Sequence, residues 1–352
     1  MDPEAVRAAG RVPHGGDSDP DVLDFSANTN PRTPDGVAEV HAEALEASRR
    51  YPDGAYPEFR GAAATYVGCD PERVIPTAGG LAAIRLGMEV TLEPGDRALV
   101  PYPSFGEYAR EVELQGAAPD FVPVDEALEA SNERLERCAL AIVCTPNNPT
   151  GEAADPDALS AFADRCADAG TTLLVDEAFL DYTDLPSATS LSAENVIVAR
   201  SLTKIFGLPG LRAGFAVARG ERLEALETAR PTWGLGLPAA RVGAHCMRSE
   251  GFVRETREEV VRERERMREA LEGAGFEVRP SDAPYLLCDV GDRHVEAVIA
   301  RARESGVAIR DATTFRGLDS HVRVAVKDRA SNGRLLEALA DRPDGGEAST
   351  DG

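Results

Sequence analysis

Between about Val74 and Phe215 the chain alternates short apolar runs with stretches of helical character. RALVPYP, LAIVCTP, TTLLVDEA and VIVARSLTK are separated by segments such as LSAFADRCADAG. That alternation predicts a mostly parallel sheet with crossover helices. The polar or special residues stand where each run ends, and open α/β sheets bind ligands beyond the carboxyl ends of their strands, so a site is expected there. From Val253 to Leu271 the period changes. VRETREEVVRERERMREAL places Val253, Val260, Met267 and Leu271 on one face with charges of both signs around the rest, predicting a long amphipathic helix with a solvated charged side. The runs FEVRP, YLLCDV, VAIR and HVRVAV then predict a smaller α+β domain.

The expected fold class is therefore α/β, a large domain with a mostly parallel sheet plus a smaller α+β domain around a shared cleft. The length of 352 residues suits that division. The expected boundaries are 1–45 for an N-terminal segment completing the small domain and the site, 46–235 for the large domain, 236–342 for the small domain, and 343–352, PDGGEASTDG, for a disordered tail.

Composition narrows the function classes. No apolar run approaches the roughly 20 residues of a membrane span, and MDPEAVRAAGRVPHGG lacks the pattern of a secretory signal, so a soluble cytoplasmic protein is expected. Six scattered cysteines form no C-x-x-C pair and no metal-ligand spacing, which predicts reduced thiols and no metal. Asp and Glu outnumber Lys and Arg by 61 to 38, a formal charge of −23 that repels nucleic acid. Spread along the whole chain, this excess has the character of a halophile-like solvated surface.

Three segments carry candidate chemistry. In SLTKIFGLPGLRAGF, Lys204 follows a strand, flanked by Ser201 and Thr203 and followed by Arg212. The amine suits a Schiff base, and the hydroxyls and guanidinium suit a dianionic phosphate. In VDEAF, Asp176 ends an apolar run, where a carboxylate can keep a pyridinium nitrogen protonated. In CTPNNPTG, Asn148 offers an amide to a phenolic oxygen. Each segment alone is equally an ordinary loop, cap or turn.

Together, NNPTG, DEAF and SLTK…GLRAGF in this order resemble the fold-type-I, aspartate-aminotransferase-like pyridoxal-phosphate enzymes, in particular the histidinol-phosphate aminotransferase branch. HGG at 14–16, LDFSANTNP, RYPD, RSLTKIFGLPGLRAG and GLDSHVRVAV are most similar to the threonine-phosphate decarboxylases of cobalamin biosynthesis. The resemblance implies pyridoxal 5'-phosphate as cofactor, with Lys204 carrying it and Asp176 on the ring nitrogen. It implies Asn148 on the ring oxygen, Phe105 on the ring face, and Ser201, Thr203, Arg212, Gly79 and Gly80 around the phosphate. Tyr51 would reach the phosphate of a partner subunit in a homodimer. Arg323 would take the substrate carboxylate, and His14, Asn28 and Arg32 the substrate phosphate.

The implied reaction is decarboxylation of L-threonine O-3-phosphate to (R)-1-amino-2-propanol O-2-phosphate, with transamination of histidinol phosphate or an aromatic amino acid as the alternative. A non-catalytic cofactor-binding protein of the same fold is a third reading, against which stands the joint presence of Lys204, Asp176 and Arg212. The chain departs from the family at AGGLAAIR, where Leu81 and Ala82 offer no polar group after the glycines. It departs again at Phe179, where the aminotransferases place a tyrosine, at PTWGLGLP, and at Pro284-Tyr285. These departures bear on the substrate side rather than on the cofactor.

Overall fold

The computed structural model describes residues 1–340, so the tail expected over 343–352 lies outside the described residues. A seven-stranded sheet runs in the order Val74–Thr77, Gly214–Val217, Val196–Ser201, Thr172–Asp176, Leu140–Cys144, Arg97–Tyr102, Ala118–Pro123. Gly214–Val217 runs antiparallel to the other six strands. The central strands are buried on both faces, which is why they read as continuous apolar runs. Their side chains alternate between two covers: Leu173 and Val175 join one core cluster, and Leu174 joins the other with Ile142 and Ile197.

The smaller domain holds an antiparallel sheet in the order Arg310–Asp311, His321–Ala325, Tyr285–Asp289, Glu277–Val278. Near the N-terminus, Leu23–Asp24 pairs in parallel with Val307–Ala308 and ties that segment to the small domain. The expected run VAIR is thus divided between two sheets.

The long helix spans Glu250–Gly273 and buries the expected Val253, Val260, Met267 and Leu271. Its polar side is not wholly solvated. Glu263 is buried on the same face, held by Arg266, Arg329 and the amide of Asn332. The helix Leu237–Met247, placed by sequence in the small domain, packs on Pro57–Val67 and Val37–Ala47. Gly243 permits this, since a Cβ there would meet the Phe59 ring at 2.8 Å. Among the described residues, no helix is long and apolar enough to cross a membrane.

Candidate active site

The motifs follow the carboxyl ends of the parallel strands, and each reaches the same region by a short connection. At one end the helix Gly80–Glu89 begins with Gly79 as its cap. The first-turn N–H groups of a helix have no intrahelical acceptor, and the helix dipole adds positive potential there. Close approach is built in. A Cβ on Gly79 would lie 2.6 Å from the Arg212 guanidinium, and one on Gly80 would lie 3.0 Å from Ser201 Cβ. Ser201 and Thr203 share a 2.9 Å hydrogen bond between hydroxyls. Gly79, Gly80, Ser201, Thr203 and Arg212 therefore form one cradle of donors. Leu81 and Ala82 add no polar side chain to it, which leaves that side to backbone N–H groups.

Beside this cradle stands Lys204, with its ammonium 5.6 Å from the Phe179 ring centre. Burial and the nearby Arg323 charge push its pKa down to about 8, against the opposing pull of Asp176. Asp176 ends its strand with Oδ2 accepting from the Tyr108 hydroxyl at 2.6 Å and Oδ1 from the Ala178 N–H at 3.0 Å. Burial raises its pKa, and those two donors oppose the rise. Phe105 stands above the start of the next helix, edge-to-face with Tyr108 at 5.5 Å. Asn148 lies in the loop after Leu140–Cys144, and its Oδ1 accepts from Arg323. With the oxygen so occupied, the amide NH₂ is the end left for a ligand.

On the small-domain side Arg323 is buried. It donates to Asn148 and to the Ser26 carbonyl at 3.0 Å, while its Nε has no partner. Desolvation lowers its pKa to about 10. The segments HGG and SANTNP meet here as well. The Gly16 N–H donates to Ser26 Oγ at 2.7 Å, and a Cβ on Gly15 would lie 2.1 Å from the Ser26 carbonyl oxygen. Asn28 Oδ1 is buried without a partner. His14 lies 5.8 Å from the Phe105 ring, its Nε2 hydrogen-bonded to Glu107 at 2.8 Å.

Two candidates lie apart from this group. Arg32 pairs with Glu259 at 2.6 Å and points at Thr256 on the long helix, so its charge is engaged away from the cleft. Tyr51 is 79% exposed and stacks on Trp233 at 4.4 Å, on the outer surface.

Two residues were missed by sequence. Arg310, inside a run read only as a strand, is 9% exposed and stands opposite Arg323 across the sheet. It donates to the Pro13 carbonyl at 2.8 Å and to Thr314 Oγ1 at 2.9 Å. A cation interrupting an apolar strand was the available signal. Tyr108 stands one helical turn after Phe105, a spacing that puts both on one face.

These residues fit a phosphate-bearing ring cofactor: a donor cradle, an amine, a buried carboxylate, an aromatic plate and a free amide lie side by side. Comparison with known proteins places the chain in a family. The Aminotransferase class I and II family pattern matches residues 20–339. The histidinol-phosphate aminotransferase 2 of Archaeoglobus fulgidus is 34% identical over 327 residues, covering 91% of this chain and 93% of that protein. A protein of Caldanaerobacter subterraneus that carries the provisional name threonine-phosphate decarboxylase is 31% identical over 82% of each chain. The histidinol-phosphate aminotransferase of Sinorhizobium meliloti, solved with pyridoxal-5'-phosphate, is 20% identical. It superposes with a TM-score of 0.83 over 96% of this chain and 93% of its own, a likeness that shows the fold.

Proposed function

Since the chain belongs to the aminotransferase class I and II family, we propose that it is a pyridoxal-phosphate enzyme that decarboxylates L-threonine O-3-phosphate to (R)-1-amino-2-propanol O-2-phosphate. The observation that carries the substrate class is the pair Arg310 and Arg323. Both are buried, and neither forms an ion pair with a described carboxylate. Burying an unpaired guanidinium costs several kcal/mol, which an anionic ligand offsets. Two such cations side by side suit one small molecule with two anionic groups, and threonine phosphate has a carboxylate and a phosphate a few bonds apart.

When bound, the cofactor supplies an electron sink for the bond broken at the substrate α-carbon. Lys204 is the amine that carries it, and its lowered pKa leaves a usable fraction of free amine near neutrality. Asp176 is the counter-ion for the ring nitrogen, Phe105 the plate on the ring face, and the Asn148 amide the donor to the ring oxygen. Gly79, Gly80, Ser201, Thr203 and Arg212 hold the cofactor phosphate. Arg323 grips the carboxylate through its planar fork, while Arg310, His14 and Asn28 take the substrate phosphate.

A second copy of the chain completes this reading. Tyr51 and Trp233 are large, exposed and stacked, and Tyr51 lines a 690 Å³ groove with Arg50 and Arg241. We assign this face to a homodimer interface. The free cysteines suit the cytoplasm.

Transamination of histidinol phosphate is the second reading, favoured by the 34% identity to the Archaeoglobus protein. Purified protein given threonine phosphate without an oxo acid separates the two. Carbon dioxide release with one amino alcohol phosphate per substrate is expected. Glutamate formed from 2-oxoglutarate and histidinol phosphate, with no carbon dioxide from threonine phosphate, overturns the proposal.

A further inference from the structure

Asp176 is 5% exposed, and a carboxylate in such surroundings tends toward its neutral acid, which cannot act as a counter-ion. The groups facing it come from five places. Tyr108 reaches it from the helix Glu107–Leu114, Cys144 from the neighbouring strand, Glu177 from the next position, Lys204 from the loop after Val196–Ser201, and Tyr285 from the small-domain sheet. Lys204 favours the ionised form and Glu177 opposes it. Cys144 is a buried thiol whose pKa is pushed up by desolvation, so it brings no counter-charge. Among the described side chains, Tyr108 alone donates a hydrogen bond to the carboxylate.

The same residue makes a second contact. Its ring meets Phe105 edge-to-face at 86° with centres 5.5 Å apart. Tyr108 is fully buried, so its ring and hydroxyl have one fixed arrangement between the two groups. Its phenol pKa lies well above the ordinary value because of desolvation and the adjacent Asp176 charge, and it therefore remains a donor throughout the neutral range.

We propose that Tyr108 is a positioning residue for the cofactor: its hydroxyl holds Asp176 as an aimed anion while its ring sets the plate Phe105, so one side chain governs two walls of the ring slot. This rests on the pyridoxal-phosphate reading above. A hydrogen bond to the ionised carboxylate stabilises that form before any ligand arrives, so the empty slot already carries the charge that a protonated pyridine nitrogen needs. A tyrosine that merely fills the core would act on stability and not on this charge.

The test uses full-length apoprotein and pyridoxal phosphate as the probe. Tyr108→Phe keeps the ring and removes the donor. Cofactor binding is expected to weaken on the order of 10-fold, the effect of one hydrogen bond to a charged group. The infrared carboxyl band that Asp176→Asn removes should titrate at higher pH in Tyr108→Phe apoprotein than in wild type. In the Asp176→Asn background the Tyr108→Phe effect on binding should vanish. Tyr108→His, which returns an N–H donor, should recover part of the affinity, a rescue that packing alone does not give and that remains readable if Tyr108→Phe folds poorly. A wild-type protein that binds the cofactor, with Tyr108→Phe equal in affinity and in carboxyl titration, overturns this proposal alone. A wild-type protein that takes up no pyridoxal phosphate overturns the cofactor reading and this proposal with it.

Discussion

Arg310 and Arg323 stand directly opposite each other on antiparallel strands, and both guanidiniums lie over the ring of Phe315, at 5.5 and 5.7 Å from its centre. Residues so paired project to the same face. Their mutual repulsion is one cause of the lowered pKa of Arg323, after desolvation. A fold that keeps this arrangement without a ligand pays for it in stability.

The first prediction follows from that cost. Replacing Arg310 with methionine should raise the melting temperature of the unliganded protein, corresponding to about 1–4 kcal/mol. The same change should raise KM for threonine phosphate at least about 10-fold, with cofactor affinity unchanged. Calorimetry and steady-state kinetics read the two effects, and a destabilised variant with normal KM would refute the ligand role. Arg323→Lys should be similarly damaging to KM, because a point charge cannot reproduce a bidentate fork.

Lys204 provides a pH dependence. Its pKa of about 8, against 10.5 for an ordinary lysine, means that the amine loses its proton as pH rises through 8. At that pH half is free amine, compared with roughly 0.3% for an unshifted lysine. The rate of covalent attachment of pyridoxal phosphate to apoprotein should therefore rise with pH to a plateau, with a midpoint near 8. Rates still climbing steeply at pH 10 would contradict the buried, cation-flanked setting. Lys204→Ala should show no covalent attachment and retain its fold.

Asp176→Asn keeps the shape and the contact with the Ala178 N–H but removes the charge. Turnover should fall by orders of magnitude while cofactor remains detectable by absorbance. Near-normal turnover would assign the ring nitrogen to another residue.

Gly79 has φ of +93°, which side-chain-bearing residues rarely adopt, and its Cβ position is 2.6 Å from Arg212. Gly79→Ala should cost about 1–3 kcal/mol and weaken phosphate capture. Equilibrium unfolding and pyridoxal-phosphate titration measure both effects, and a neutral outcome would exclude a tight cradle.

Arg32 supplies the negative control. Because Glu259 and Thr256 hold its guanidinium, Arg32→Ala should change KM for the phosphorylated substrate by less than about twofold. A large rise would show that the ion pair opens to admit substrate.

The parallel sheet and the long helix were legible along the chain, and the resemblance carried by NNPTG, DEAF and SLTK…GLRAGF singled out Lys204, Asp176, Asn148 and Arg212 as candidates. They depend on local signals: buried runs of strand length, a period near 3.6, and polar residues at strand ends. What local pattern could not supply was which distant groups share one small volume. Arg310 was only the last residue of the run VAIR until its register against Arg323 made it half of a charge pair. Tyr108 drew no reading from the sequence, and only the crossover from Arg97–Tyr102 brought its hydroxyl to Asp176, 68 residues away. Arg32 looked available until the long helix supplied Glu259. The helix Leu237–Met247 packs on Pro57–Val67 because Gly243 lets it close on Phe59. Periodicity constrains neighbours a few residues apart, whereas charge pairing and close approach are settled between segments beyond that reach. The chain alone determined the main elements and the candidate groups; only tertiary packing decided which of those groups face one another and which are neutralised elsewhere.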